Sequence, residues 1–519
     1  MDPWLYVGDI LRVNAIKFPD KMAVKDAERT LTFKEYNERS CRLANGFTKL
    51  GLSKGDRVTI ISQNRVEWME IYGATAKAGL IAVPINWRLV GREITYIVND
   101  SDAKAFIVHE AFVQEVDRIR KDIPKVDCFI FIGPKGNMPE GWVHYEDLVD
   151  ESSTDEPNVP IDGEDIWVQL YTSGTTGKPK GVLRSHRSYV SFFFINEVDY
   201  GYHLDDIGMI VMPLCHVNST FYSFVFTYIG ASVYIFPDHN FNAETMLDII
   251  DKESITFTSL VPTHYALILS VSDEVKKRFD GGSIKQLLCS SAPVRKQMKR
   301  DIMAFFPNAK LFEAYGSTEA GLVTLLRPEE QMTHLGSIGK ECSGTDIIRI
   351  LDDDRNPVPQ GEVGELFSRG PMMFTEYYNM PEKTKEAFTE DGYFSAGDMV
   401  VMDEEGYYKI VDRKANMIIT GGENVYPTQV EEVLAQQEAV FDCAVIGLPH
   451  DKWGEQVTAI VILKEGKTAT EKDLMEFCKG RIAGYKRPRE IIIIKPEEMP
   501  RTNTGKILHR KLRDRYCKR

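Results

Sequence analysis

Short apolar runs alternate with amphipathic helical patterns through most of this sequence, and that alternation restricts the fold more than any other feature. Residues 57–62 read as a strand, 66–78 as a helix and 80–84 as the next strand, and apolar runs return at 105–108, 128–132, 208–212, 232–236, 257–261 and 286–290. Thr32 is the candidate cap of an earlier amphipathic helix. Strand, helix, strand in this order predicts parallel sheets with helices on their faces, an α/β fold. A chain of 519 residues exceeds what one core organises, so two or more domains are expected.

Between Gly339 and Val411 the rhythm breaks into short β-rich segments separated by turns such as Asp352-Asp-Asp-Arg-Asn-Pro357. This predicts a small β-barrel-like subdomain at about 339–411 inside a large N-terminal domain of 1–412, followed by a small α+β domain of 413–519. The acidic, Ser/Pro-containing stretch around 150–165 reads as a linker. The last 38 residues carry twelve basic side chains against four acidic ones, a local positive patch in an otherwise acidic chain.

A net charge of −14 argues against nucleic acid as a partner, since a phosphate backbone would repel most of the surface. The opening residues lack a basic n-region, and no apolar run approaches the roughly 20 residues of a membrane span. Eight dispersed cysteines without a Cys-x-x-Cys pair suggest neither a disulfide framework nor a zinc site. The expectation is a cytoplasmic protein with no transmembrane segment.

The densest chemistry lies in Tyr171-Thr-Ser-Gly-Thr-Thr-Gly-Lys-Pro-Lys-Gly181, directly after the strand-like residues 166–170. Glycines allow successive backbone N–H groups to face one concavity, hydroxyls add donors, and Lys178 and Lys180 add positive charge. Such a loop is suited to phosphate. It is not a Walker A loop, because only two residues separate Gly174 from Gly177 where that motif has four.

This stretch resembles the phosphate loop of the adenylate-forming superfamily, which includes acyl-CoA synthetases, peptide-synthetase adenylation domains and firefly luciferase. Further stretches match the superfamily in order and spacing across nearly the whole chain. The resemblance implies ATP/AMP binding by Thr172, Ser173, Gly174, Thr175, Thr176, Gly177 and Lys178. It also implies that Ser291, Ala292 and Pro293 pass the adenine, and that Glu313, Ala314, Tyr315 and Gly316 form a second nucleotide motif with Tyr315 stacking on the base. Thr318 would bond a phosphate oxygen, Glu319 would ligate Mg²⁺, Asp398 would accept the ribose hydroxyls, and Arg413 would reach the same ribose. Lys506, in Pro500-Arg-Thr-Asn-Thr-Gly-Lys506, takes the position of the lysine that contacts the attacking carboxylate and the α-phosphate.

The family's C-terminal domain is mobile and turns between half-reactions about a residue that is usually Asp or Lys. Here it is Ala415. Gly421, Gly422 and Glu423 belong to the loop that replaces the lysine after the turn, on the coenzyme A side. Trp453 resembles an aromatic that stacks on the coenzyme's adenine, and Arg88, Arg487 and Arg489 occupy positions that contact its phosphates. His216 matches a residue flooring or gating the acyl pocket, beside Val217 and Phe193. Amino-acid-activating relatives carry an Asp where this chain has Asn242, which argues for a plain carboxylic acid, aromatic, alicyclic or of short to medium chain length.

The implied activity is an ATP-dependent carboxylate–CoA ligase using ATP, Mg²⁺ and coenzyme A, with a homodimer compatible with the family. Two alternatives stay open: an adenylation enzyme that loads a carrier protein, and a non-catalytic nucleotide- or acyl-binding regulator. A luciferase-like side activity would use the same adenylate.

Overall fold

The protein is described from a computed structural model covering residues 5–172, 179–237, 241–290, 294, 296–502, 505 and 507–517. It divides into two compact units, Met1–Ile347 with Ser368–Phe394, and Ile348–Phe367 with Ser395–Arg519.

Among the described residues the first unit is built on two large sheets. The eight-stranded one contains Ile81–Ile85, Arg57–Ile61, Ala103–His109 and Cys128–Ile132 as parallel neighbours. The nine-stranded one contains Ile207–Ile210, Phe257–Leu260, Gln286–Cys289 and Lys310–Ser317, also parallel in that spatial order. Their apolar runs lack a polar face because helices cover both sides, as in Ile81–Ile85, which is buried throughout. Helix Phe33–Lys49 starts at Thr32, whose hydroxyl accepts from the Glu35 amide while Glu35 bonds back to the Thr32 amide. The largest core cluster is aromatic at its centre, with Trp167 edge-on to Tyr189 and Phe224 at 4.7 and 5.0 Å.

The stretch read as a linker has no helix or strand over 153–165, yet it is strapped to the first unit. Arg42 donates to the Ser152 carbonyl, Asn45 to those of Ser153 and Asp155, and Lys77 pairs with Glu156.

The second unit holds a four-stranded antiparallel sheet in the order Arg349–Leu351, Gly364–Phe367, Asp398–Met402, Tyr408–Arg413. This is the form taken by the β-rich segment expected at 339–411. Part of that segment lies elsewhere: residues 368–394 belong to the first unit, and Glu376–Tyr377 pairs with Leu183 and Val182 in the eight-stranded sheet.

In the same unit, strands Val440–His450 and Gly454–Leu463 form a long antiparallel ladder with apolar side chains on both faces. Val445, Val457, Ala459 and Val461 join a core with Val430, Leu434 and Leu474, while Ala444, Ile446 and Ile460 join another with Leu512 and Tyr516. The period of two along each strand gives each face its own helical cover.

Residues 348–367 and 395–412 thus pack with the C-terminal residues, whereas the sequence alone suggests a boundary at 412. Asp412 shows why. Its carboxylate accepts from the Thr428 amide at 2.9 Å, the Thr428 hydroxyl at 2.8 Å, the Asn416 amide nitrogen at 3.1 Å and the Arg413 amide at 2.6 Å. A boundary at 412 would cut through a buried cluster of bonds. Asp412→Ala is therefore expected to cost about 2–3 kcal/mol, read by chemical denaturation. A loss below about 0.5 kcal/mol, the size of an ordinary surface substitution, would contradict this account of the junction.

Candidate active site

In open α/β sheets, ligands bind beyond the carboxyl ends of the strands. In the nine-stranded sheet that edge gathers the segments leaving Ile207–Ile210, Phe257–Leu260 and Gln286–Cys289. Asn218, in the first turn of helix Val217–Ile229, donates to the hydroxyls of Ser259 at 3.0 Å and Ser290 at 3.2 Å. Ser290 leads into Ser291, Ala292 and Pro293, which lie outside the described residues.

Ser173, Gly174, Thr175, Thr176, Gly177 and Lys178 also lie outside the described residues, but both flanks of that loop are fixed. Strand Ile166–Thr172 pairs antiparallel with Lys180–Ser185, with Thr172 opposite Lys180. The Tyr171 hydroxyl donates to Asp100 at 2.7 Å, and Tyr96 donates to the Pro179 carbonyl at 3.0 Å. The Lys180 ammonium sits 3.8 Å above the Tyr377 ring; burial lowers its pKa, opposed by the field of Glu319.

Strand Lys310–Ser317 carries the second nucleotide motif and turns sharply into Gly321–Leu326. The turn is packed backbone on backbone: a Cβ on Gly316 would lie 2.0 Å from the Gly321 carbonyl oxygen. Ser317 accepts from the Ala320 amide at 2.9 Å and closes the tip. Thr318 is half-buried, and the Glu319 carboxylate accepts the Tyr377 hydroxyl at 3.0 Å. Tyr315 is half-buried opposite Thr324, and Ala314 is half-buried against the large core.

The structure gives Glu313 a different neighbour from the one expected. Its carboxylate is buried 2.6 Å from the equally buried Lys299 ammonium, so a nucleotide contact at this position would come from backbone. Burial raises the Glu313 pKa, opposed by Lys299.

His216 precedes helix Val217–Ile229 and is half-buried, with Nε2 shielded from solvent and without a hydrogen-bond partner. Burial, with Arg88 adding repulsion, pushes its pKa down to about 4, so the ring is neutral at pH 7. His264, missed in the sequence, has the same character: its Nδ1 is buried and unpartnered, its pKa is also near 4 from burial and Arg88, and its ring stacks on Phe241 at 4.3 Å. Arg88 is exposed over Trp87 and thus acts electrostatically on both histidines. Val217 is half-buried, whereas Phe193 is a fully buried core residue packed 5.2 Å from Tyr228.

In the second unit, Asp398 and Arg413 face each other across adjacent strands, with Arg413 Nε 2.6 Å from the buried Asp398 carboxylate. Ala415 is exposed in the short turn Lys414–Asn416. Gly421 and Gly422 form a two-residue hairpin loop with φ of 62° and 85°, the left-handed geometry that favours glycine, between Thr420 and exposed Glu423. The Gly421 amide donates to the Trp453 carbonyl at 2.8 Å, and the Arg489 guanidinium lies 4.2 Å over the Trp453 ring. Gly421, Gly422, Trp453 and Arg489 are therefore brought together, with Arg487 half-buried two residues before Arg489.

Lys506 lies outside the described residues. Beside it, Arg501 donates to the Gly505 carbonyl at 3.0 Å and pairs with Asp442.

The sequence reading also missed Lys299, Tyr377 and Arg184, because each acts through a partner remote in the chain. Lys299→Met should be strongly destabilising, by about 3–5 kcal/mol, since it strands a buried carboxylate. Glu313 is already biased toward its protonated form, so the loss should shrink as pH falls, and Lys299→Met/Glu313→Met should recover most of it. Denaturation of the single and double variants at two pH values checks this; additive losses would contradict it.

A family model described as AMP-binding enzyme matches residues 11–378, and one described as AMP-binding enzyme C-terminal domain matches 429–506. A long-chain-fatty-acid–CoA ligase of Mycobacterium tuberculosis is 32% identical over 518 residues, covering 98% of both chains. An indoleacetate–CoA ligase of Aromatoleum aromaticum is 32% identical over 499 residues, covering 94% of both. Among solved structures, ATP-bound MatB from Rhodopseudomonas palustris superposes with a TM-score of 0.88 at 28% identity, covering 99% of each chain. The chain therefore belongs to the AMP-binding enzymes of the adenylate-forming superfamily, as an AMP-forming acid–thiol ligase of the acyl-CoA synthetase kind.

Proposed function

We propose that this enzyme condenses a carboxylic acid with ATP to an acyl-adenylate and pyrophosphate, then transfers the acyl group to coenzyme A, leaving AMP. The observation that carries this reading is the tight turn from Gly316 to Gly321, which holds Thr318 and Glu319 where a side chain on Gly316 would have no room. A carboxylate and a triphosphate repel each other, so the protein must offset negative charge where it develops. Lys180, Lys178 and the loop amides serve the phosphates, and Lys506 serves the α-phosphate and the attacking carboxylate. Tyr315 stacks on the adenine, and Asp398 and Arg413 take the ribose.

Mg²⁺ commonly keeps one or two protein carboxylates and takes its other ligands from substrate phosphates and water. Glu319 fits that pattern, being one carboxylate braced by Tyr377. Bound there, the ion would neutralise charge on the departing pyrophosphate. The coenzyme is assigned to Gly421, Gly422, Glu423, Trp453, Arg487 and Arg489. Arg88, exposed over Trp87, is assigned to a phosphate of the coenzyme, and its charge also disfavours protonation of His216 and His264.

The acid has an apolar body, aromatic, alicyclic or of short to medium chain length. Asn242 supports the exclusion of amino acids: its side-chain oxygen caps helix Ala243–Glu253 by accepting from the Thr245 amide at 2.8 Å, leaving no carboxylate there for an ammonium group. Neutral His216 offers an unpaired ring nitrogen to an oxygen of the acid. Coenzyme A as acceptor is favoured over a carrier protein by the Trp453 and Arg489 stack beside the glycine hairpin.

The test is a panel from acetate through octanoate, benzoate and cyclohexane carboxylate, with MgATP and with or without coenzyme A. One class of acid should yield pyrophosphate and stoichiometric thioester, and Lys506→Ala should lower pyrophosphate formation by about 10²–10³-fold. Pyrophosphate without thioester would favour the carrier-protein reading, and silence with every acid would contradict the ligase.

A further inference from the structure

Arg184 is the most unusual charge in the molecule. It lies on strand Lys180–Ser185 and is 0% exposed. Among the described residues no carboxylate stands within ion-pair distance of it. A buried cation without a counter-ion is costly, and burial pulls its pKa down to about 10, so it carries its charge at pH 7.

Backbone carbonyls take its two terminal nitrogens, while Nε is buried without a partner and the field of Glu319 also favours the charge. Nη1 donates to the Thr318 carbonyl at 2.6 Å and to that of Glu319 at 3.4 Å, and Nη2 donates to the Met372 carbonyl. The face of the guanidinium lies 4.8 Å from the Phe221 ring and 5.4 Å from that of Tyr189. Phe221 is in turn stacked on Phe192 at 3.8 Å and 9°. One side chain thus joins the eight-stranded sheet to the turn of the nine-stranded sheet, and the turn to the segment that supplies Tyr377.

The Glu319 backbone is gripped from a second side, since its carbonyl also accepts the Phe374 amide at 2.7 Å. Together these contacts determine the direction in which residues 318 and 319 leave the turn. A lysine would keep the charge but lacks the planar fork that reaches several carbonyls at once. A neutral residue would take this donor from the Thr318 and Met372 carbonyls and leave that of Glu319 to the Phe374 amide alone.

We propose that Arg184 is a positioning residue for the adenylation half-reaction, fixing through the carbonyls of Thr318, Glu319 and Met372 where the Thr318 hydroxyl and the Glu319 carboxylate stand toward ATP. The inference rests on the reading of those two residues given under Proposed function. It separates the half-reactions: the turn serves pyrophosphate departure, and transfer of an already formed acyl group to a thiol does not require it.

The experiment uses the full chain as wild type, Arg184→Lys, Arg184→Met and Glu319→Gln. Pyrophosphate formation from MgATP and the acid is measured separately from thioester formation with supplied acyl-adenylate and coenzyme A, and thermal denaturation reports the folded fraction. Arg184→Met should lose about 10²-fold in pyrophosphate formation, the scale of a small misplacement of reacting groups. Thioester formation should stay within about threefold of wild type, and Arg184→Lys should fall between. Equal losses in both half-reactions that follow the folded fraction, or undiminished pyrophosphate formation in Arg184→Met, would overturn the assignment. Full activity in Glu319→Gln would overturn the reading of the turn itself, and with it the role given to Arg184.

Discussion

Strand Lys180–Ser185 is the element on which the surroundings of the Gly316–Gly321 turn in the first unit depend. One edge pairs with Ile166–Thr172 and the other takes Glu376–Tyr377. The carbonyls of Gly181 and Leu183 accept from the amides of Tyr378 and Thr375. Charge placement is a consequence of this pairing. Lys180 lies over Tyr377, Tyr377 braces Glu319, and Arg184 inside the sheet donates to the carbonyls of Thr318 and Glu319 in the turn. Positive groups and their oriented backbone acceptors are thereby set before any substrate arrives, which is how a preorganised site lowers the cost of a developing negative charge.

The second unit solves a different problem. Besides the Asp398–Arg413 pair, it carries the surface around Trp453 that is proposed above to take the coenzyme. The glycine hairpin at 421–422 lets backbone approach the Trp453 ring, where a side chain on Gly421 would already be 3.1 Å from ring carbon. Arg489 covers that ring with a delocalised cation. This arrangement stands on a sheet whose two faces carry separate cores, so it rests on a rigid base.

Much of this was legible in the residues. The strands at 57–61, 128–132 and 286–289 are mainly apolar runs, and burial on both faces is what such runs report. Strand Lys180–Ser185 was not legible, because Lys180 and Arg184 interrupt its apolar character and the compensation for Arg184 comes from carbonyls 134 and 188 residues away. The placement of residues 368–394 was hidden for a related reason: a two-residue strand carries no periodicity, and its pairing is decided by tertiary contacts. Glu313 shows the limit of a motif. The motif marks a position in the chain, but the side chain there turns to Lys299, fourteen residues earlier on an adjacent helix. His264 carried no local signal, since a single histidine after a strand becomes informative only when its unpaired nitrogen and its nearness to Arg88 are known.

In the proposed reaction ATP is cleaved between its α- and β-phosphates by the acid itself, with no covalent enzyme intermediate. This is tested most directly by quenching a single turnover without coenzyme A and analysing the nucleotide products and the protein mass together. The account predicts pyrophosphate and an acyl-adenylate in equal amounts, released from protein of unchanged mass. ADP with inorganic phosphate, or protein carrying an acyl or adenylyl group, would contradict it.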